Sequence, residues 1–155
     1  APLLPPDRPR YMMGTGAPND LVEAVAAGFD LFDCALPTRV ARNGALFTRT
    51  GRVDITKRKY ADQAEPLDED CDCYACRNFS AAYLWHLFRA KELLALRLAT
   101  MHNLRFILRL MQEMREAIIN DRFNDFQRGF WDAYRPTDEA ARQEQKNKWL
   151  KARGG

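Results

Sequence analysis

Apolar positions recur along this chain first in short strand-like runs and then at helical spacing, and that change organises it. Arg10-Tyr-Met-Met13 reads as a short strand, and Phe29-Asp-Leu31-Phe-Asp33 as a second apolar strand. Between them Gly14 to Asp20 is a turn, in which Pro18, Asn19 and Asp20 supply helix-start chemistry for Leu21 to Ala27, and Gly28 ends that helix. Two strands joined through a helix make one βαβ unit, whose connection implies a parallel pair. Leu46 to Ile55 has the pattern of a small hairpin turning near Thr50-Gly51. Beyond it, Ser80 caps a long helical stretch in which Leu84, Leu87 and Phe88 share a face. A second helix shows Leu104, Ile107, Leu108, Met111, Met114 and Ile118 at helical spacing, a stripe expected to be ordinary core or subunit contact. The proline-rich start APLLPPDRPR has no initiator methionine and suggests a connection cut out of something longer. The charged tail from Thr137 to Gly155 is expected to fray.

At 155 residues and 46% hydrophobic, the chain is long enough for one modest core, and no apolar run approaches a membrane span. Its net charge is only +3, yet the charge is segregated. Arg39, Arg42, Arg49, Arg52, Lys57, Arg58 and Lys59 face Asp54 alone in one stretch. The next stretch holds Asp62, Glu65, Asp68, Glu69, Asp70 and Asp72 with no basic residue. So dense a basic loop is a candidate phosphate-contacting surface, and equally a solvated face balanced by its acidic neighbour.

Cys71-Asp-Cys73-Tyr-Ala-Cys76 changes the picture, because three thiols plus one distant imidazole supply four tetrahedral ligands, the stoichiometry of a closed structural zinc site. A disulfide framework fits less well. The fourth cysteine, Cys34, lies far upstream, and the 29% charged composition without an apolar leader reads as intracellular, where thiols stay reduced. Cys71 and Cys73 flank a single residue and can turn toward one ion but hardly pair with each other. His86 and His102 both follow the cluster, and spacing does not choose between them.

Three runs together point to a family. Tyr11-Met-Met13-Gly-Thr-Gly16, then Phe32-Asp33-Cys34-Ala-Leu-Pro37-Thr38-Arg39-Val-Ala-Arg42-Asn43-Gly44, then the Cys71-x-Cys73-x-x-Cys76 cluster with His102 closely resemble the carboxy-terminal part of tRNA-guanine transglycosylase, in order and in interval. The resemblance continues through Tyr83 to Arg97 and Ala99-Thr-Met-His-Asn103. It covers nearly the whole chain except the tail.

The resemblance implies an α/β chain: the carboxy-terminal portion of a TIM (β/α)8 barrel with an inserted zinc-binding subdomain. It divides the chain into the last two barrel units with the catalytic aspartate (1–45), a basic hairpin and zinc subdomain (46–103), a closing helix (104–136) and the charged tail (137–155). The implied enzyme removes guanine from the wobble position of a tRNA with a GUN anticodon and inserts a free 7-deazaguanine base, preQ1 or queuine, on the path to queuosine. The fit to the bacterial pattern favours preQ1. A cytoplasmic homodimer formed through the zinc region, with no membrane partner, completes the expectation.

Residue by residue, the resemblance makes His102 the fourth zinc ligand and leaves His86 to packing. Where the family commonly writes two consecutive histidines, this chain has Trp85-His86. Asp33 becomes the nucleophile, which attacks the ribose at its anomeric carbon, expels guanine and leaves a covalent ribosyl ester that a second base reverses. Taken alone, an aspartate after an apolar strand is more often a turn or cap residue. Met13 and Gly14 would border the base pocket, the thioether lying against the purine while glycine admits the backbone. Gly14, Thr15, Gly16, Ala17, Pro18, Asn19 and Asp20, and Thr38, Arg39, Val40, Ala41 and Arg42, would touch the anticodon loop. Arg39 and Arg42 are the strongest, since guanidinium groups fork onto phosphates or base edges. Asp30 and Cys34 are expected to be structural, Cys34 as a small buried residue.

A whole barrel takes about 250 residues, and the family's second acid/base aspartate and the glycine-rich strand of the base pocket are expected in earlier segments. The chain thus reads as a fragment or split half, inactive alone. A non-catalytic partner subunit would be expected to lose the nucleophile, and a zinc-stapled tRNA-binding module would not need a strand-end carboxylate.

Overall fold

The computed structural model describes residues 3–136. The parallel pair predicted from sequence is present as β1 (Tyr11–Met13) and β2 (Leu31–Asp33), joined by helix α1 (Pro18–Ala26), with Tyr11 opposite Leu31, Met12 opposite Phe32 and Met13 opposite Asp33. Pro18 occupies the first helical turn, where its missing N–H leaves nothing unsatisfied, and Gly28 turns the chain out of α1 at φ 90°. Alternation then sorts the side chains. Tyr11, Met13, Leu31 and Asp33 share one face of the pair and are exposed, whereas Phe32 on the other face packs against a core of Leu21, Val22, Phe47, Phe106, Leu110 and Met114.

A helix not anticipated from the pattern, α2 (Leu36–Arg42), follows β2 directly. Its seven residues are too few for a visible stripe, and only Pro37 and Ala41 are buried. The hairpin β3 (Ala45–Thr48) and β4 (Gly51–Asp54) pairs antiparallel, Thr48 opposite Gly51, with Arg49 and Thr50 as its turn. Gly51 sits at φ 133°, and a Cβ there would meet the Arg135 carbonyl oxygen at 2.6 Å. A single 3-10 turn (Arg58–Tyr60) leads through the acidic loop to α3 (Tyr74–Asn78), α4 (Ala81–Ala90), α5 (Leu93–Ile119) and α6 (Phe123–Ala133). Ser80 caps α4 as expected, its hydroxyl accepting from the Tyr83 N–H, but α4 runs only ten residues before Lys91 breaks it in the left-handed region.

The long helix α5 departs from the sequence pattern in two respects. It runs without a break through residues 103 and 104, so the division expected there falls inside one helix. Its buried side is Ala95, Leu98, Ala99, His102, Asn103, Phe106, Leu110 and Met114, whereas Leu104, Leu108 and Ile118 of the apolar stripe face outward, Leu108 at 63% exposure. The inward side mixes small and polar residues (Ala95, Ala99, His102, Asn103) with Leu98, Phe106, Leu110 and Met114, so a stripe of large apolar residues alone does not mark it. Of the expected stripe, Met114 is buried and Ile107 and Met111 pack at the margin. No helix among the described residues is long and apolar enough to cross a membrane. The tail expected to fray, 137–155, lies outside the described residues.

Candidate functional site

Two sites are built on this frame. At the carboxyl end of the strand pair, the last residues of β1 and β2 are Met13 and Asp33, opposite each other in register. The Gly14 N–H donates to the Asp33 carbonyl at 2.9 Å, and the Asp33 carboxylate accepts from the Tyr11 hydroxyl at 2.5 Å. That hydrogen bond, with burial and the carboxylate's charge behind it, raises the Tyr11 phenol above its ordinary value of 10.0. Gly14 stands at φ 77°, and Met13 is 75% exposed, so a thioether and an open stretch of backbone border the carboxylate.

The adjoining loops are tightly fitted. Cys34 is half-buried rather than fully buried: its thiol lies 3.3 Å from the Gly14 carbonyl and accepts from the Leu36 N–H at 3.3 Å. Gly16 packs so closely on it that an added Cβ would meet Cys34 Cβ at 2.4 Å. Asp30 takes the Arg10 N–H at 2.8 Å and fixes the entrance to β1, the structural part expected of it. Thr15, Ala17 and Asn19 are half-buried, Pro18 is buried and Asp20 is exposed, its carboxylate accepting from the Asn19 amide at 2.6 Å. On α2 the Thr38 hydroxyl donates to Ala35 O at 3.1 Å, Val40 packs against the core and Ala41 is buried, so Arg39 and Arg42 are the residues of that run that project to solvent.

The second site brings Cys71, Cys73, Cys76 and His102 together, their ligand atoms all within 4.8 Å of one another. His102 Nδ1 lies 3.6, 3.6 and 3.4 Å from the three sulfurs in turn. A tetrahedral ion bonded to thiolate at about 2.3 Å and to imidazole at about 2.0 Å sets this edge at about 3.5 Å. His102 is fully buried, and its Nε2 lies 2.7 Å from the Phe47 carbonyl, which can only accept, so Nε2 carries the proton and the Nδ1 lone pair faces the thiols. Hydrogen bonds from Cys71 and then Cys76 pull the Cys73 thiol down to about 3, while the same crowding by Cys71 and Cys73 pushes Cys76 up. Three thiolates therefore share this volume only around a cation. His86, expected to pack, is instead exposed on α4 and takes no part.

Sequence reasoning passed over the scaffold of this centre. Asn103, beside His102 and equally buried, donates to Pro37 O and Ala45 O at 3.0 Å each and accepts from Phe47 N–H at 3.0 Å. One helical turn thus ties the ligand set to the hairpin and to the helix bearing Arg39 and Arg42. Asp72, between two ligand cysteines, receives a two-pronged pair from Arg105 at 2.6 Å on both prongs, and Arg49 pairs with Glu113 of α5 at 2.5 Å. Arg105 of α5 thus answers Asp72 of the acidic loop, while Arg49 of the basic loop pairs with α5 and also feels the charges of Asp68 and Asp70. Among the described residues Arg39, Arg42 and Arg58 form no ion pair. An adjacent buried Asn after the ligand histidine was the available signal for the first of these. Pairs such as Asp72 with Arg105, 33 positions apart, leave none.

Comparison with known proteins decides the family. The model of the family described as queuine tRNA-ribosyltransferase matches residues 1–136. This chain belongs to that family. A queuine tRNA-ribosyltransferase of Dehalococcoides mccartyi is 58% identical over 152 residues, covering 98% of this chain and 39% of the relative. Proteins of the same name from Thermoanaerobacter pseudethanolicus and Herpetosiphon aurantiacus are 55% and 54% identical over 131 and 142 residues, covering 84% and 92% of this chain and 35% and 36% of their own length. The chain thus spans about two fifths of the curated relatives it matches, and what the structure adds to family membership is a mixed α/β frame with a Cys3His group fit for a metal ion.

Proposed function

We propose that this segment carries the nucleophile, the anticodon-loop contacts and the structural zinc centre of a tRNA-guanine transglycosylase. The observation that carries the proposal is the strand pair itself. Helices cover the face bearing Phe32, while the face bearing Tyr11, Met13, Leu31 and Asp33 is open, as the interior face of a barrel wall is before the other strands close on it. Asp33 stands at the carboxyl end of its strand, where barrel enzymes place their chemistry.

In the proposed reaction an Asp33 carboxylate oxygen bonds to C1′ of the wobble ribose as the C1′–N9 bond breaks, and guanine leaves with the electron pair and takes up a proton. A 7-deazaguanine base, preQ1 on the bacterial pattern, then attacks C1′ through its ring nitrogen, losing a proton, and the carboxylate leaves. Two displacements give overall retention. Met13 and Gly14 flank the extruded base, and the unpaired Arg39 and Arg42 grip the anticodon loop of a tRNA with a GUN sequence. Zinc is the ion that three cysteines and one histidine favour, and it holds α3 and α5 together without entering the reaction. The longer protein works in the cytoplasm as a homodimer through the zinc region. The second carboxylate is assigned to its remaining segments, so base exchange belongs to the longer protein and not to this segment alone.

Full-length protein containing this segment, incubated with labelled guanine and tRNA, is expected to exchange the base and to give a slow-migrating protein–tRNA adduct on a denaturing gel that Asp33→Asn removes. An adduct undiminished in Asp33→Asn refutes the nucleophile. Binding of tRNA with no exchange identifies a binding module.

A further inference from the structure

Resting on that assignment of Asp33, we propose that Tyr11 is a positioning residue that selects which carboxylate oxygen attacks the ribose and assists the same carboxylate when it leaves. Tyr11 and Asp33 lie on the same face of the strand pair, displaced by two residues along it, because Tyr11 opposes Leu31 and Met13 opposes Asp33. Two residues of rise at about 3.3 Å each and a strand spacing of about 4.8 Å put such neighbours about 8 Å apart at the backbone, a gap that a tyrosine ring spans. The phenol spans it and donates to Oδ1 at 2.5 Å, although Tyr11 is 51% exposed and has no burial requirement for that partner. A ring held in the open by one charge-assisted hydrogen bond does little for folding and much for the direction of the carboxylate.

The chemistry follows from the occupied oxygen. With Oδ1 engaged, Oδ2 is the oxygen free to form the bond to C1′ as guanine departs with the C1′–N9 electron pair. In the resulting ester Oδ1 is the carbonyl oxygen, a weaker acceptor than a carboxylate. When the incoming base bonds to C1′ and the Oδ2–C1′ bond breaks, the electron pair returns to the carboxylate, and the Tyr11 O–H meets the charge as it develops. Tyr11 therefore favours the second displacement more than the first. The upward displacement of the phenol keeps it a donor across the neutral range.

The test uses the full-length zinc-loaded protein with tRNA and free base. Tyr11→Phe keeps the ring and removes the donor. Expected is a loss of about 10–100-fold in kcat with tRNA KM unchanged, a larger share of enzyme trapped as adduct at steady state, and an unaltered melting temperature. A kcat equal to the parent's, or a loss confined to KM, overturns the proposal. In parallel, NMR of 13C-labelled tyrosine should show the Tyr11 phenol ionising above its ordinary range in the parent and returning toward it in Asp33→Asn. Equal titration in both proteins overturns the proposal independently of how Tyr11→Phe folds. If Asp33→Asn itself retains the adduct, the nucleophile assignment fails first. If that variant loses the adduct while Tyr11→Phe matches the parent, only the role of Tyr11 fails.

Discussion

The metal centre and the strand pair hold their key residues in opposite ways. Around His102 each donor and acceptor has a partner inside the chain: Nε2 on Phe47 O, Asn103 on three backbone groups, Asp72 on Arg105, and the thiols around a common centre. The strand pair is three residues long on each side, two strands wide, and the face bearing Asp33 is open, with Met13, Leu31 and Tyr11 more than half exposed. A closed polar network fixes its own geometry, because each member has a partner within the described chain, even where that partner lies 55 or 66 positions away. A parallel pair of strands is stable as part of a covered sheet and takes its rigidity from elements on both faces. The first region is satisfied from within the described chain, and the second keeps one face open.

The largest effect is expected from stripping the Cys3His cluster of its ion. Chelation, or His102→Ala, should unfold the region from α3 through the middle of α5, since binding of structural zinc supplies on the order of 10 kcal/mol of folding free energy. Metal analysis and circular dichroism check it, with His86→Ala as a control expected to lie within about 0.5 kcal/mol of the parent. If His86→Ala instead loses the metal, the ligand set is wrong. Next in size is Asp33→Asn in the full-length protein, where activity should fall by about four orders of magnitude or more while zinc content and tRNA binding persist, because an amide is a poor nucleophile at carbon. A drop of only about tenfold would show that Asp33 supports the site without attacking.

Asn103→Ala tests the link from the helix bearing His102 to the hairpin and to α2, the helix that follows β2. It strands the Phe47 N–H and the carbonyls of Pro37 and Ala45, and should cost about 2–4 kcal/mol by denaturant melts. It should also loosen hydrogen-exchange protection in α2 before that in α4. Protection lost equally in both helices would deny the link. Arg39→Ala and Arg42→Ala should each weaken tRNA binding and lower the salt slope by about 1, with melting temperature nearly unchanged. Equal binding by the double variant ends the assignment to RNA.

The smallest effect is a pH dependence. The Arg105 guanidinium holds the Asp72 carboxyl below its ordinary 3.8. A depressed acid contributes stability above its unfolded value and loses it as pH falls through the folded one, so the contribution is intact at neutral pH and declines below about pH 4. Both partners are about one-third exposed, which keeps the contribution small. Carboxyl NMR should place the Asp72 midpoint below 3.8 and return it upward in Arg105→Gln.

What the sequence determined by itself is whatever rests on neighbours close in the chain. The βαβ unit followed from two apolar runs around a Pro18 helix start, the hairpin from turn residues near Thr50-Gly51, the Ser80 cap from residue type, and the cysteine cluster from a spacing of three within six positions. Family membership was legible for the same reason, in runs whose order survives without any fold. The fold itself chose which side of α5 turns inward, because that side joins His102, Asn103 and two alanines to Leu98, Phe106, Leu110 and Met114 and leaves Leu104, Leu108 and Ile118 outside. The fold alone likewise paired Asp72 with Arg105, set Tyr11 against Asp33, and put His86 outside, since those relations join residues 33 and 22 positions apart, or depend on which face a partner covers. Local chemistry is written in the order of residues. Long-range pairing is written in the closure of the chain, where burial selects among faces that the sequence leaves equivalent.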